Sequence, residues 1–227
     1  MSKFVVLLDN GHGKDTPGKR SPLWEDGTQL LEYRYTRQIV DFLMEKFKRS
    51  FDYPDVELIK LVPEEEDISL KERCKRANKY ASEYGVYNCL GISVHVNAFD
   101  GIASGWQLHT YLGESLSDRY AEIVWNSFKK DLEGVMKVRK CSHQSVDYDA
   151  NFAILRDTRC PFILTENGFM DNEEECKFLM SDVGMNLIID SHIKSIVKCY
   201  SYWLDNRENS DFSLGLVTTK DYQNLDV

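Results

Sequence analysis

The sequence lacks several features that define large classes of proteins. Its 227 residues contain no apolar run long enough to cross a bilayer. Lys and Arg total 28 against 37 Asp and Glu, which gives a net charge of −9. The basic residues form no long stripe that would bind a nucleic acid. The negative net charge also gives no attraction to an anionic membrane surface. We therefore expect no membrane span and no nucleic-acid partner.

Cysteine pairs at metal-binding spacing are also missing. The six cysteines are widely and irregularly spaced, and no Cys-x-x-Cys pair occurs, which argues against a cysteine zinc site. A chain of this length buries a core without covalent staples. We therefore expect reduced and mostly buried thiols.

A secretory leader is not predicted. The first apolar stretch is cut short by Asp9, and no small-residue cleavage site follows it. The stretch is better interpreted as the first strand of the fold. This predicts a protein that is made in the cytoplasm without a signal peptide.

What the sequence does contain is an alternation of strand and helix patterns. Strands are predicted over 3–9, 56–61, 90–96, 106–112, 152–155 and 162–165, and helices over about 31–47, 69–83, 117–132, 172–180 and 183–204. This order indicates an α/β fold: a single three-layer domain with a mostly parallel mixed sheet of about six strands, flanked by helices on both faces. We expect the domain to span residues 1–205, with a polar tail over 206–227 that contains at most one loosely packed strand around 214–217.

Two of these helices have specific sequence signals. The first has one apolar face, with steps of three and four residues: Leu31, Tyr35, Ile39, Phe42, Leu43 and Phe47. The second begins with Ser69 as its N-cap and Glu72 closing a capping box.

Side chains that can bind a metal or transfer a proton lie at or just after the ends of three predicted strands. His12 lies between two glycines after the first strand, His95 lies at the end of the strand over 90–96, and Glu166 follows the strand over 162–165. In the strand over 90–96, Ser93, His95 and Asn97 share one side. In open α/β sheets the carboxyl ends of strands gather ligands, so we expect these groups to meet at one sheet edge.

A fourth group completes a set with hydrolytic chemistry. Glu32 opens the first long helix, and we rank it above Glu25 and Asp26 of the preceding loop because a helix fixes a ligand better than a loop does. Two His and one Glu can hold one zinc with a coordination position open, while a further Glu carries protons. A carboxyl such as Glu166, emerging from a buried strand, is expected to have a raised pKa. The combination predicts a zinc hydrolase.

The remaining histidines are weaker candidates. His109 falls within a predicted strand, and His192 lies on the apolar face of the last helix, which favours packing over catalysis. His143 lies in a polar loop that borders the substrate in one interpretation. We expect none of the three to be a metal ligand.

Taken together, the motifs resemble those of the zinc-dependent N-acetylmuramoyl-L-alanine amidases of the amidase-3 type, which include cell-separation amidases and phage endolysins. The matching segments, in order, are Gly11-His12-Gly13, Glu32, Ser69-Leu70-Lys71-Glu72-Arg73 with Ala77-Asn78, Ser93-Val94-His95-Val96-Asn97, and Glu166-Asn167-Gly168-Phe169 with Asn172. One departure is Lys14, where the family often has a second glycine. The long loop that follows it leaves the substrate preference open.

The resemblance implies a site and a reaction. His12, Glu32 and His95 would ligate Zn²⁺, Glu166 would be the catalytic acid/base, and Asn97 and Asn167 would bind substrate or orient the ligands. The implied reaction is hydrolysis of the amide between N-acetylmuramic acid and L-alanine of the peptidoglycan stem peptide. A monomer that reaches the cell wall after release or lysis is expected, as for an endolysin. Two alternatives stay open, namely a zinc peptidase acting within the stem peptide and a non-catalytic peptidoglycan-binding module.

Overall fold

The sheet has six strands in the spatial order β2-β1-β3-β6-β4-β5. A computed structural model describes residues 2–50, 52–142 and 145–208 of the chain. The strands are β1 (Phe4–Asn10), β2 (Val56–Lys60), β3 (Cys89–Asn97), β4 (Gln107–Thr110), β5 (Tyr148–Asp149) and β6 (Phe162–Phe169). The helices are α1 (Glu32–Ser50), α2 (Leu70–Tyr84), α3 (Leu116–Asp131), α4 (Ala153–Arg156), α5 (Glu173–Met180) and α6 (Asp182–Asn206), with a short 3-10 turn at Val86–Asn88.

Most of the sheet is parallel. β1 runs parallel to both β2 and β3, β3 runs parallel to β6, and β4 is antiparallel to β6. The carboxyl ends of β1, β3 and β6 therefore lie at the same edge, with β3 in the middle. The predicted α/β architecture with a mixed sheet of about six strands is confirmed.

Helices cover both faces because the central strands are apolar on both sides. In β1, Phe4, Val6 and Leu8 pack into one core cluster, while Val5 and Leu7 pack into another. The first cluster includes apolar residues of α1, α3, α5 and α6, and the second includes residues of α2 and α4. A strand buried on both faces is expected in a parallel sheet between two helical layers. The predicted three-layer arrangement is present.

Several predicted element boundaries are confirmed closely. α2 begins after Ser69, whose hydroxyl accepts a hydrogen bond from the backbone N–H of Glu72 at 3.3 Å. The helix predicted over 183–204 is α6, which continues to Asn206, one residue past the predicted domain boundary. The strand predicted around 214–217 lies outside the described residues. Within the described part of the chain, no helix is long and apolar enough to cross a membrane.

One predicted strand is wrong. Residues 152–155 contain the start of the short helix α4, in which the backbone N–H of Asp157 donates to the carbonyl of Ala153 at 2.8 Å. A short apolar run has no period that separates a strand from a helix. Here one helical turn suffices to bury Ile154 and Leu155 against the sheet.

Three smaller differences concern the edges of elements. Phe42 is 49% exposed because it lies at the margin of the buried arc of α1 rather than within it. Trp106 precedes β4 and forms only an isolated bridge to Val138. β6 is longer than predicted and β5 was not predicted at all, since two residues give no detectable alternation.

The described cysteines fit the prediction of unpaired thiols. All six are free. Five are buried and only Cys141 is exposed. The side chains of Cys74, Cys89, Cys160, Cys176 and Cys199 therefore act as small apolar groups of the core.

Candidate metal centre

The turn after β1 brings His12 against His95. The backbone of His12 has φ 61°, in the left-handed region that favours glycine. The imidazole rings of His12 and His95 meet edge to face with centroids 4.9 Å apart. This approach requires glycine at position 11, because a Cβ on Gly11 would lie 2.4 Å from Cε1 of His95.

Glu32 places its carboxylate between the two histidines. Its Oε1 lies 3.1 Å from Nδ1 of His95 and 3.4 Å from Nε2 of His12. The same oxygen accepts a hydrogen bond from the backbone N–H of Val96 at 3.1 Å, which fixes the orientation of the carboxylate. Oε2 of Glu32 is buried and has no hydrogen-bond partner. A buried carboxylate oxygen without a partner is costly unless another group binds there.

The three side chains fit a zinc ion by number, type and proximity. Their ligand atoms lie within 4.8 Å of one another, and no other such group occurs among the described residues. Two imidazoles and one carboxylate are the protein ligands of a catalytic zinc site, where the fourth position stays open. The unpartnered Oε2 of Glu32 adds a second reason, because a cation would satisfy it.

The three groups also shift one another's protonation. Burial by itself would raise the pKa of Glu32, but hydrogen bonding to His12 and His95 holds that pKa well below its usual range. Burial lowers the pKa of His12 despite the carboxylate beside it. Burial acts the same way on His95, but Glu32 outweighs it and raises the pKa of His95. The cluster therefore keeps Glu32 ionised, the form that a metal ligand requires.

Glu166 lies beside this cluster without joining it. It is paired in register with His95 on the neighbouring parallel strand, so both side chains project to the same face of the sheet. Its Oε2 is buried and has no hydrogen-bond partner. Burial raises the pKa of Glu166 to about 7, which suits a group that both takes and gives protons near neutral pH.

His12, His95 and Glu166 open into one cleft of about 590 Å³. The cleft extends from these residues to the start of α2 and to α4. Its apolar lining comes from Ile68, Leu70, Phe152, Ala153, Ile154 and Leu164, and its charged lining includes Lys19 and Arg156. The space suits an extended substrate that carries both apolar and polar groups.

The two asparagines lie in different environments. Asn167 is fully buried, where its Nδ2 donates to the carbonyl of His95 at 3.0 Å and its Oδ1 accepts from the indole N–H of Trp106 at 3.1 Å. Of its two predicted roles, burial favours orienting the His95 backbone over touching substrate. Asn97 accepts a hydrogen bond from the backbone N–H of Ala98 at 2.9 Å and does not line the cleft. Substrate contact by Asn97 stays a prediction.

The lower-ranked candidates are not part of the cluster. Asp26 pairs with Lys177 at 2.8 Å, and Glu25 is exposed on the same loop. His192 is fully buried against Ile188 in α6, as its position on the apolar face predicts.

Two further histidines complete this comparison. His109 lies within β4, where its Nε2 is 3.0 Å from Nε2 of Gln107. His143 lies outside the described residues, so its predicted position beside the substrate stays a prediction.

Two buried arginines next to His12 were assigned no role from the sequence. Arg37 and Arg73 both donate hydrogen bonds to the carbonyl oxygen of His12, at 3.0 and 3.1 Å. Arg73 also pairs with Asp9 at 2.7 Å, and Asp9 in turn accepts a hydrogen bond from Ser93 at 2.5 Å. For Arg37 the sequence did contain one signal, namely a charged residue among the positions that form the buried face of α1.

Comparisons with known proteins match this chain to one family. A family model described as N-acetylmuramoyl-L-alanine amidase matches residues 6–198. The amidase CwlM of Bacillus licheniformis is 25% identical over 197 residues, which cover 86% of this chain and 68% of that protein. The endolysin of Bacillus phage SPP1 is 28% identical over 203 residues, covering 87% of this chain and 66% of the endolysin.

A solved structure has the same fold. The N-acetylmuramoyl-L-alanine amidase from Clostridium difficile 630 superposes with a TM-score of 0.73 at 21% identity, covering 91% of this chain and all of that one. At this identity the similarity establishes the fold alone.

Proposed function

The chain belongs to the N-acetylmuramoyl-L-alanine amidase family, and we propose that it hydrolyses the amide between N-acetylmuramic acid and the L-alanine of the peptidoglycan stem peptide. The observation that carries this proposal is the cluster of His12, Glu32 and His95 with Glu166 beside it, at the end of an open cleft. The relatives named as an amidase and as an endolysin support a cell-wall substrate.

The proposed cofactor is Zn²⁺, held by His12, Glu32 and His95. When bound, zinc would supply Lewis-acid chemistry, polarising the scissile carbonyl and lowering the pKa of water to about 7. The protein's part is to keep these ligands in place. The hydrogen bond from Val96 fixes Glu32, and Gly11 leaves room for the ring of His95.

Glu166 is proposed to move the proton. Its carboxylate form accepts a proton from the attacking water, and the resulting carboxyl donates it to the departing alanine nitrogen. A pKa raised to about 7 by burial makes both forms accessible near neutral pH. The unpartnered Oε2 leaves an oxygen free to exchange a proton with water or substrate.

We further propose the setting in which this reaction occurs. Residues 1–205 would form the catalytic domain and 206–227 a polar tail. The protein would act as a monomer on cell-wall peptidoglycan after release or lysis. The domain division and the action as a monomer on the cell wall both extend the proposal beyond residues 6–198, which the family model matches, to the whole chain.

The deciding experiment is digestion of purified peptidoglycan by the zinc-loaded protein, with products identified by mass spectrometry. Free stem peptides that begin with L-alanine, abolished by a chelator and by Glu166→Gln, are the expected products. Cleavage within the stem peptide would instead identify a peptidase. Peptidoglycan that is bound but not cut, by protein shown to hold zinc, would identify a binding module.

A further inference from the structure

The carbonyl oxygen of His12 accepts hydrogen bonds from two guanidinium groups that come from different helices. Nη1 of Arg37 in α1 lies 3.0 Å from it, and Nη2 of Arg73 in α2 lies 3.1 Å from it. Two like charges against one neutral oxygen repel each other. This repulsion costs free energy, and His12 is the residue that accepts hydrogen bonds from both arginines, so a role at His12 would explain the arrangement.

The partners of Arg37 point to a role in holding the backbone. The side chain bonds the carbonyl of Glu64 through Nε and Nη2, at 3.0 and 2.6 Å, and the carbonyls of His12 and Tyr33 through Nη1, both at 3.0 Å. Arg37 is 7% exposed and forms no ion pair with any residue that the structure describes. A buried cation whose hydrogen bonds all go to carbonyl oxygens fixes the chain segments that carry them.

Two of the segments that Arg37 joins carry candidate metal ligands: the turn that contains His12 and the helix α1, which begins at Glu32. Glu32 and Arg37 lie in the same helix, and Thr36 between them donates to the carbonyl of Gly11 at 3.2 Å. α1 therefore provides one ligand directly and is tied, through Thr36 and Arg37, to the turn that carries His12. These hydrogen bonds stabilise His12, because the backbone of a residue other than glycine is strained at φ 61°.

We propose that Arg37 is a positioning residue of the metal centre. By bonding the carbonyl of His12, it holds this residue in its left-handed conformation and sets the distance between the ligand atoms of His12 and Glu32. This inference rests on the proposed function, since it requires that the cluster bind zinc. Arg37 does not contact the metal, and its effect passes through the backbone of His12.

Arg37 is a better residue to test than Arg73. Arg73 also forms the buried ion pair with Asp9, so its replacement would leave an uncompensated buried carboxylate. Arg76 offers a matched control for Arg37. It donates to the carbonyl of Leu61 at 2.9 Å and pairs with the side chain of Glu64, but forms no hydrogen bond to His12.

The experiment measures the affinity of the metal-free protein for Zn²⁺ by competition with a chromophoric chelator. We expect Arg37→Gln to weaken zinc binding about 10- to 100-fold, the range found when a residue that orients a metal ligand is removed. The zinc affinity of Arg37→Lys should lie between that of Arg37→Gln and that of the original protein, because a single ammonium group replaces the several N–H donors of the guanidinium. Arg76→Gln should bind zinc as the original protein does.

The absorption spectrum of the Co²⁺-loaded protein gives a second readout. A changed ligand geometry should shift or weaken the visible bands in Arg37→Gln but not in Arg76→Gln. Unchanged zinc affinity and an unchanged cobalt spectrum in a folded Arg37→Gln protein would overturn the inference. If Arg37→Gln does not fold, Arg37→Lys decides: affinity equal to that of the original protein overturns the inference, and weaker binding supports it.

The same measurement separates this inference from the proposed function. Failure of the original protein to bind Zn²⁺ would overturn the metal centre and the role of Arg37 together. Tight binding by the original protein and by both Arg37 variants would leave the metal centre in place and overturn the role of Arg37 alone.

Discussion

Glu166 and His95 are paired in register on neighbouring parallel strands, so the two side chains leave the same face of the sheet next to each other. The chain positions that supply them are 71 residues apart. Only the parallel pairing of β3 with β6 makes them neighbours. This relationship places a carboxyl with a raised pKa beside the candidate ligands without making it one of them.

Replacement of Glu166 should separate catalysis from metal binding. We expect Glu166→Gln to lower kcat about 10²- to 10⁴-fold, because the amide cannot accept the proton of the attacking water. Zinc content, measured by atomic emission on the purified variant, should stay at the level of the original protein. Glu174→Gln on α5 is exposed and serves as the control. Full activity of Glu166→Gln would remove Glu166 from the reaction.

Removal of the metal should affect both activity and stability. A chelator is expected to abolish hydrolysis, and added Zn²⁺ to restore it. If zinc binds only the folded state, free zinc at about 1,000 times its Kd should raise the free energy of unfolding by about 4 kcal/mol. Chemical unfolding with and without zinc measures this difference, and His12→Ala should show none of it. An equal gain in His12→Ala would place the zinc elsewhere.

A methyl group on Gly11 should disturb the candidate site directly. Gly11→Ala would place a Cβ 2.4 Å from the ring of His95, which must then move. We expect weaker zinc binding and a loss of about 1–3 kcal/mol in the free energy of unfolding, as for overpacked interiors. Gly18→Ala is the control, because nothing lies within 4 Å of its added Cβ and only its φ of 75° is unfavourable. Equal zinc affinities in the two variants would contradict this account.

His192 should make stability depend on pH. Its Nδ1 lies 2.9 Å from the carbonyl of Ile188 and its Nε2 lies 3.2 Å from Oγ1 of Thr165. Burial lowers its pKa to about 4, whereas the unfolded chain has the ordinary value of 6.5. Between these values the unfolded state binds more protons, so stability falls as the pH drops from 6.5 towards 4, by about 3 kcal/mol from this residue.

Urea unfolding at several pH values checks this prediction. His192→Gln should be less stable near pH 7 but should lose less stability between pH 6.5 and 4. The difference between the two proteins isolates His192, because His12, His95 and His109 titrate in both. Parallel pH profiles for the two proteins would show that the His192 pKa is not shifted in the folded state.

Much of the site was predictable because local sequence determines it. An apolar strand that ends in a glycine-flanked histidine, a helix that opens on Glu32 and a strand that alternates through His95 are patterns of neighbouring residues. The order of the motifs along the chain supplied the family resemblance. The strand predicted over 152–155 was wrong because this local information was missing there: four apolar residues are too few to show the period of a strand or of a helix.

The contacts around His12 were not predictable, because they join distant parts of the chain. Arg37 and Arg73 meet on one carbonyl oxygen from two helices on opposite faces of the sheet. The pairing of Asn167 with the carbonyl of His95 likewise depends on the register of β3 against β6. No local pattern encodes which buried polar group a side chain will reach.

The sequence by itself determined the fold class, the strand ends at which polar side chains would lie and the residue types of a candidate metal site. Periodicity and residue chemistry act over a few positions, and they suffice for those conclusions. Only the tertiary structure decided which oxygen of Glu32 is fixed and which is free, how far burial raises the pKa of Glu166, and what holds His12 in its left-handed conformation. Burial and hydrogen-bond geometry arise when distant segments pack, and they exist only in the folded chain.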